Sequence, residues 1–242
     1  MDRGESPVPL GRLLFALAVH GYTAFGAVLG FLALAAAFRG DYATTFMMLA
    51  AAFAVDASDG TLARKARVKQ VAPWIDGGLL DNIIDYLTYV VVPVAVLVQP
   101  GILPPGLQWC ALSVLLASAY GFSRTDAKGF VEHYFQGFPS YWNVLVFYYV
   151  VLGTSPWVNL AFLLGFVAMV FVPMRWLYPS RMESGRGAAV WLGVLWAVMG
   201  AVLVYQLPEP SPLLAWTSLF YPAWYTAASF LYDQRSRKAD YP

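Results

Sequence analysis

Apolar residues run along the chain in long stretches that are separated by short turns. Several stretches reach about 20 residues, the length that an α-helix needs to cross a bilayer. Proline and glycine cluster at 99–106, 153–156 and 207–212, which marks turns there. The pattern predicts eight helices: Arg12–Phe38, Tyr42–Ser58, Leu79–Val98, Pro105–Phe122, Tyr141–Leu152, Pro156–Trp176, Ala188–Tyr205 and Pro212–Tyr232.

Composition indicates a membrane protein rather than a soluble domain. The 242 residues are 60% hydrophobic and 12% charged, whereas soluble domains carry roughly 25% charged residues. We therefore expect an all-α polytopic membrane protein, with about eight transmembrane helices in one bundle that forms a single domain, 1–242. The net charge of +1 argues against a general nucleic-acid binder. Cys110 is the single cysteine, so a disulfide within the chain is excluded.

Positive charges predict the orientation of the bundle. Eight crossings place both termini on one side, and of the fifteen Lys and Arg residues only Arg39 then falls on the other side. Cytoplasmic loops carry such an excess of positive charge. We therefore expect the termini, and the acidic cluster described next, to lie at the cytoplasmic face.

Acidic residues cluster where the second and third apolar stretches meet. Asp56 and Asp59 are three residues apart, and Asp81 and Asp85 are four apart, so each pair lies on one face of a helix. Carboxylates that face each other repel and are costly near hydrocarbon. A bound cation is the usual remedy, and oxygen-only ligands favour magnesium, manganese or calcium. An ion relay in a transporter is the alternative chemistry.

This stretch resembles the signature of the CDP-alcohol phosphotransferases, D-x2-D-G-x2-A-R followed by G-x3-D-x3-D. The eight matching positions are Asp56, Asp59, Gly60, Ala63, Arg64, Gly77, Asp81 and Asp85. Twelve residues, 65–76, separate the two halves, which is a longer spacer than in most of the family. The long spacer and the later G-F-P-S-Y-W-N at 137–143 are similar to the bacterial phosphatidylcholine synthase branch.

The resemblance implies transfer of the phosphatidyl group from CDP-diacylglycerol to choline, giving phosphatidylcholine and CMP, at the bacterial inner membrane. It implies two divalent ions, Mn²⁺ or Mg²⁺, held by Asp56, Asp59, Asp81 and Asp85. Asp85 would also take the proton from the acceptor hydroxyl as a general base. The CDP group would be bound by Asp56, Gly60, Ala63, Arg64 and Gly77. Relatives are often dimers, so we expect a homodimer.

The acceptor site is predicted from aromatic residues, because choline is a quaternary ammonium that aromatic faces bind. The chain is 17% aromatic. The resemblance favours Tyr141, Trp142 and Asn143, and Tyr86 follows Asp85 directly. Arg124 and Lys128 could pair with the phosphate of the donor or with bulk lipid.

Two other functions stay open at this point. One is the same reaction with serine, inositol or glycerol phosphate as the acceptor, and the other is cation-coupled transport. Asp76 is expected to cap a helix or lie in a loop. His20 is expected to be a buried, hydrogen-bonded histidine, on a first helix that closes against the signature helices through Thr23, Ala24 and Gly26.

Overall fold

A computed structural model describes residues 8–124, 134–178, 182 and 185–240. Within these residues the fold is all-α apart from one antiparallel ribbon of two strands. The helices are α1 (Leu10–Phe38), α2 (Tyr42–Ala66), α3 (Val68–Val71), α4 (Gly77–Asp85), α5 (Val92–Leu97), α6 (Leu112–Ser123), α7 (Trp142–Leu152), α8 (Pro156–Phe171), α9 (Arg186–Tyr205), α10 (Pro212–Ser218) and α11 (Phe220–Asp240). A π-helical segment, Tyr86–Val91, joins α4 to α5, and a 3-10 turn, Gln108–Ala111, precedes α6. The strands are β1 (Tyr134–Gln136) and β2 (Arg175–Leu177).

Four helical segments of the described chain are long and apolar enough to cross a membrane. They are α1, α2, the continuous segment Gly77–Leu97 and α9. Their outward surfaces carry large apolar side chains, and Phe31, Phe53 and Trp191 are at least half exposed. Such surfaces suit contact with lipid, so the segments support the expectation of a membrane protein. The apolar helices α7 and α8 are shorter, with 11 and 16 residues.

The first two helices form a hairpin that positions the acidic residues. Asp41 caps α2 by accepting a hydrogen bond from the backbone N–H of Thr44. Tyr22 and Ser58 are hydrogen-bonded across the hairpin at 2.9 Å. The predicted end of the second helix at Ser58 was wrong, because α2 continues to Ala66.

Packing explains why α2 runs through its polar stretch. Beyond Ser58, the apolar residues Leu62, Ala63 and Ala66 pack against Ala16 and Val19 of α1. This buried contact keeps the chain helical through residues that are otherwise common in turns, since most helical stability comes from such packing. The whole first half of the signature therefore lies on one helix.

The second half of the signature begins at a capped helix start. The Asp76 carboxylate accepts hydrogen bonds from the backbone N–H groups of Gly78 at 2.9 Å and Leu79 at 3.0 Å, which confirms its expected role as an N-cap. Asp81 and Asp85 are one turn apart on the helix that follows. The π-helical segment starts directly after Asp85.

The β-ribbon was not predicted from the sequence. Side chains of α11 bind the outer edge of its strand β2. The backbone N–H of Arg175 donates to Asp233 Oδ1 at 3.0 Å, and that of Leu177 donates to Ser229 Oγ at 3.1 Å. The hydroxyl of Tyr225 donates to the carbonyl of Leu177 at 3.0 Å. The three α11 residues are four apart and share one face. This face satisfies the polar edge of β2 where a third strand would otherwise pair.

Prolines account for two further corrections to the predicted helices. The sixth predicted helix ends at Phe171 rather than Trp176, because the residue before Pro173 cannot easily stay helical. The last predicted helix is broken at Leu219 into α10 and α11. Pro222 has no N–H to donate to the carbonyl of Ser218, so the regular ladder is interrupted there.

The remaining predicted bounds agree with the structure, except at one helix start and one helix end. The last predicted helix was ended too early, because α11 continues past Tyr232 to Asp240. The predicted starts and ends of α1, α7 and α9 and of the segment Gly77–Leu97 agree within two residues. The fourth predicted helix was placed too early, because Gly106 adopts a positive φ of 80° and the 3-10 turn follows it.

Candidate metal centre and acceptor site

Three carboxylates from two helices converge beside α1. Asp56 of α2 and Asp81 and Asp85 of α4 each offer one oxygen, and these oxygens lie within 4.8 Å of one another. All three side chains are half-buried. Carboxylates this close repel each other in the absence of a cation. Because oxygen ligands of this kind suit a hard divalent ion, the three aspartates could hold a metal ion.

Asp59 lies beside this group rather than within it. Its side chain is buried, with 7% exposed, and its carboxylate acts electrostatically on Asp56. Asp59 lines the same small cavity as the three converging aspartates. The cavity has a volume of about 10 Å³, close to the room that one water molecule requires. The four acids are thus neighbours, with three of them closest together.

Glycines on α1 allow this helix to approach α4 closely. A Cβ on Gly26 would lie 2.9 Å from Cγ2 of Ile84, and one on Gly30 would lie 2.6 Å from Cδ2 of Leu87. Side chains do not pack at such distances in protein interiors. Gly26 therefore confirms that the first helix closes against the signature through small residues. Thr23 of the same helix lines the acidic cavity.

His20 is buried as expected, but the expected hydrogen bond is missing at one nitrogen. The side chain is 7% exposed, and its Nε2 has no hydrogen-bond partner within the described residues. The ring lies over Gly77, where an added Cβ would be 3.3 Å from Cε1. A buried, unpaired nitrogen costs about 1–3 kcal/mol, so a water molecule or ligand group at this position would be favourable.

The residues predicted to bind CDP lie at the C-terminal end of α2 and the start of α4. Arg64 is exposed, and its Nη2 donates to Thr61 Oγ1 at 2.9 Å. The same guanidinium covers Gly60, where an added Cβ would lie 3.5 Å from Nη1. Ala63 packs against α1, and Gly77 is covered by His20. Their role in nucleotide binding stays a prediction.

Three of the four predicted choline ligands make other contacts. The hydroxyl of Tyr86 donates to the carbonyl of Leu115 at 2.9 Å, toward α6. Trp142 is completely buried, and its Nε1 donates to Ser118 Oγ at 2.8 Å. Asn143 Oδ1 accepts the backbone N–H of Val144 at 2.9 Å. None of these three lines the acidic cavity, and their contribution to choline binding stays a prediction.

Tyr141 has different neighbours, and it brings in a residue that the sequence did not single out. Its ring centroid is 6.4 Å from that of Tyr89. The hydroxyl of Tyr89 donates to Asp56 Oδ2 at 3.3 Å. Tyr89 follows Asp85 by four residues, and this spacing was a signal that it could face the same side as the acids.

Of the two basic residues predicted to contact phosphate, the structure describes Arg124. The guanidinium carbon of Arg124 lies 5.8 Å from the centroid of the Tyr120 ring, a cation–π contact. Its contact with a lipid phosphate stays a prediction. Lys128 lies outside the described residues.

Curated proteins that resemble this chain share one name. A phosphatidylcholine synthase of Legionella pneumophila is 37% identical over 238 residues, covering 95% of this chain and 93% of the relative. One of Pseudomonas aeruginosa is 37% identical over 81% of this chain and 82% of its own length. One of Borreliella burgdorferi is 32% identical over 93% of this chain and 97% of its own length. No family model and no solved structure matches the chain.

Proposed function

Because the chain belongs to the phosphatidylcholine synthase family, we propose that it transfers the phosphatidyl group of CDP-diacylglycerol to choline. The products are phosphatidylcholine and CMP. The observation that carries the proposal is the convergence of Asp56, Asp81 and Asp85 within 4.8 Å. A transfer between a diphosphate donor and an alcohol needs this kind of centre, since the chemistry is mostly positioning and neutralisation of charge.

The metal would be held by Asp56, Asp81 and Asp85, with Asp59 as a neighbouring carboxylate. Oxygen-only donors fit Mg²⁺ or Mn²⁺, and we propose that two such ions bind. When bound, the ions would neutralise the diphosphate of the donor. The cavity of about 10 Å³ provides room for one ion among the acids.

Protein side chains would supply the remaining chemistry. Asp85 would accept the proton of the acceptor hydroxyl, since a general base must reach that proton. Its half-buried position next to the other acids supports this role. Arg64 is exposed at the end of α2 and carries a planar guanidinium, which can make paired hydrogen bonds to a diphosphate. Gly60, Ala63 and Gly77 would leave space for the nucleotide on the same flank.

The site would face the cytoplasm of a bacterial inner membrane. The first half of the signature ends in a basic residue, Arg64, and three more basic residues follow within five positions: Lys65, Arg67 and Lys69. Cytoplasmic loops favour such charges, and the nucleotide-activated donor would then be reached from the cytosol. We propose that the shorter apolar helices complete about eight crossings in one bundle, and that two copies of the chain form a homodimer.

The test is release of CMP by the purified chain from CDP-diacylglycerol with choline as the acceptor. We expect release with Mn²⁺ or Mg²⁺, loss of release after chelation with EDTA, and recovery when the metal is returned. Release with serine, inositol or glycerol phosphate but not with choline would assign another acceptor. Uptake of radiolabelled choline into vesicles, with no choline-containing lipid on extraction, would assign a transporter instead.

A further inference from the structure

A row of aromatic rings extends from the acidic cluster to the C-terminal helix. Ring centroids are 6.4 Å apart for Tyr89 and Tyr141, and 5.9 Å apart for Tyr141 and Tyr225. Trp176 of β2 follows at 5.8 Å from Tyr225. The row begins at the metal centre itself, because the Tyr89 hydroxyl donates to Asp56.

Accessibility changes along this row. Tyr89 and Tyr141 keep part of their surface accessible, as do Asp56 and Asp85. Tyr225 is buried, with 8% exposed, and Trp176 is buried, with 1% exposed. The first two rings are therefore the accessible part of the row, on the side where Tyr89 contacts Asp56, and the last two rings form the packing behind them.

Negative charge lies next to the accessible rings. The Tyr89 hydroxyl donates to the carboxylate of Asp56, and Asp85 lies four residues before Tyr89, on the same side of the helical segment. An aromatic face attracts a cation through its quadrupole, and nearby carboxylates add to this attraction. This combination favours a cationic group that cannot donate hydrogen bonds.

We propose that Tyr89 and Tyr141 are the two faces that bind the trimethylammonium group of choline. This inference rests on the proposed function. Two methylene groups separate the hydroxyl of choline from its nitrogen, so the ammonium must bind within a few ångströms of the base. Tyr89 follows Asp85 by four residues, donates to Asp56 and contacts the ring of Tyr141, whereas the hydroxyl of Tyr86 donates to Leu115.

Tyr225 is assigned as a positioning residue. It contacts the ring of Tyr141, while its own hydroxyl is held by the carbonyl of Leu177 in β2. Because α11 supplies both Tyr225 and the side chains that bind β2, this helix would fix the angle at which Tyr141 faces choline. The specificity for the acceptor would then depend partly on the C-terminal helix, outside the signature.

The experiment compares choline with 3,3-dimethyl-1-butanol, its neutral analogue in which carbon replaces nitrogen. The measured quantity is kcat/KM for choline divided by kcat/KM for the analogue. Tyr89→Leu and Tyr141→Leu should each lower this ratio about 3- to 30-fold, the range expected for one cation–π contact. Tyr141→Phe keeps the aromatic face and should retain the ratio within about threefold. Both rate constants come from one enzyme sample, so a loss of folded protein cancels.

Two further variants test the positioning role and the specificity of the effect. Tyr225→Leu should lower the same ratio. Tyr225→Phe should lower it less, because it keeps the ring contact with Tyr141 and loses only the hydrogen bond to Leu177. Tyr148→Phe is the matched control on α7, since its hydroxyl contacts Ser218 and Trp196 and, within the described part of the chain, no carboxylate. This control should leave the ratio unchanged. Tyr141→Met serves as a second non-aromatic variant if Tyr141→Leu cannot be purified.

The outcomes separate this inference from the function on which it rests. Variants that make phosphatidylcholine with an unchanged ratio, for both Tyr89→Leu and Tyr141→Leu, would overturn the aromatic site and leave the proposed function intact. Wild-type protein that releases no CMP with choline and metal would overturn the proposed function, and this inference with it.

Discussion

Two cavities, one at the start of α2 and one near its middle, differ in both size and chemistry. The far cavity lies at the start of α2 and has a volume of about 640 Å³, and it is lined mainly by the turns at 40–43, 100–102 and 153–156. The acidic cavity has a volume of about 10 Å³ and lies fifteen residues further along α2, which is about 22 Å of helix. Asp41 is the acidic residue among those that line the large cavity, whereas four aspartates line the small one. Converging charge, rather than volume, identifies the reactive end.

Glycines show the same contrast between the two ends. At the acidic end, Gly26 and Gly30 allow helices to approach each other. At the far end, Gly40, Gly101 and Gly153 adopt positive φ and have open space around them. Small residues thus serve close packing at one end and turn formation at the other. Close packing at the acidic end fixes the distance between α1 and the helical segment that carries Asp81 and Asp85.

The largest expected effect comes from Asp85→Asn. This change removes the proposed base, so the rate of CMP release should fall about 10²- to 10⁴-fold while CDP-lipid binding is kept. Asp41→Asn at the far cavity is the matched control and should leave the rate unchanged. A near-normal rate for Asp85→Asn would show that the acidic end does not supply the base.

Trp142→Ala tests whether this ring binds the acceptor or belongs to the packed core. Trp142 is completely buried and hydrogen-bonded to Ser118, so we expect a loss of about 3–5 kcal/mol in the free energy of unfolding. The KM for choline should change little in the protein that remains folded. The exposed Trp191, with 73% of its surface accessible, is the control. A raised KM for choline with unchanged thermal stability would instead confirm the predicted acceptor role of Trp142.

Gly26→Ala should disturb the acidic end through packing. The new Cβ would meet Ile84, next to Asp85, at 2.9 Å, and such overpacking costs about 1–3 kcal/mol in stability. Thermal unfolding in detergent measures the loss. Gly165→Ala on α8 meets no atom within 4 Å, so it should be neutral or slightly stabilising in the same assay. Equal effects of the two substitutions would contradict the close approach of α1 and α4.

The smallest expected effect is at the far end, where Asp41 caps α2. Hydrogen bonds from Thr44, with the nearby charge of Arg39, hold the pKa of Asp41 below its ordinary value of 3.8. Because the pKa is lower in the folded state, the cap stabilises the protein above pH 3.8 and loses this contribution as the pH falls through the lowered value. Asp41→Ala should cost about 0.5–2 kcal/mol at neutral pH.

Thermal unfolding of wild type and Asp41→Ala, measured from neutral to acidic pH, checks this prediction. The difference in stability between the two proteins should shrink below pH 3.8. Asp41→Asn is the control, since asparagine also caps helices and does not titrate. A difference that stays constant with pH would show that the charge of Asp41 is irrelevant to the cap.

Much of the helical framework was predictable, because apolar stretches of membrane length leave few alternatives. The end of α2 was not predictable in this way, since its polar stretch is kept helical by Leu62 and Ala63 packing on α1. The break at Leu219 had a local signal in Pro222, which an otherwise apolar stretch concealed. The β-ribbon had no local sequence signal, because β2 is held by side chains of α11, about fifty residues further along the chain.

The residues of the candidate site likewise differ in whether the local sequence or distant packing determines them. The signature identified Asp56, Asp81 and Asp85 because their spacing is local to two helices. Tyr225 could not be found in this way, since its contact with Tyr141 depends on how α11 packs against β2. The burial of Trp142 likewise depends on Ser118 of α6, a partner 24 positions earlier in the chain.

The π-helical segment Tyr86–Val91 separates the acidic half of its helix from the apolar half. A π turn contains about one residue more than an α turn. Deletion of a single codon within it would let the segment relax to regular α-helix and turn the two halves by about 100° relative to each other. The core residues of α5 would then stay in place only if Asp81 and Asp85 swung away from Asp56. This one extra residue therefore sets the angular offset on which the whole carboxylate geometry depends.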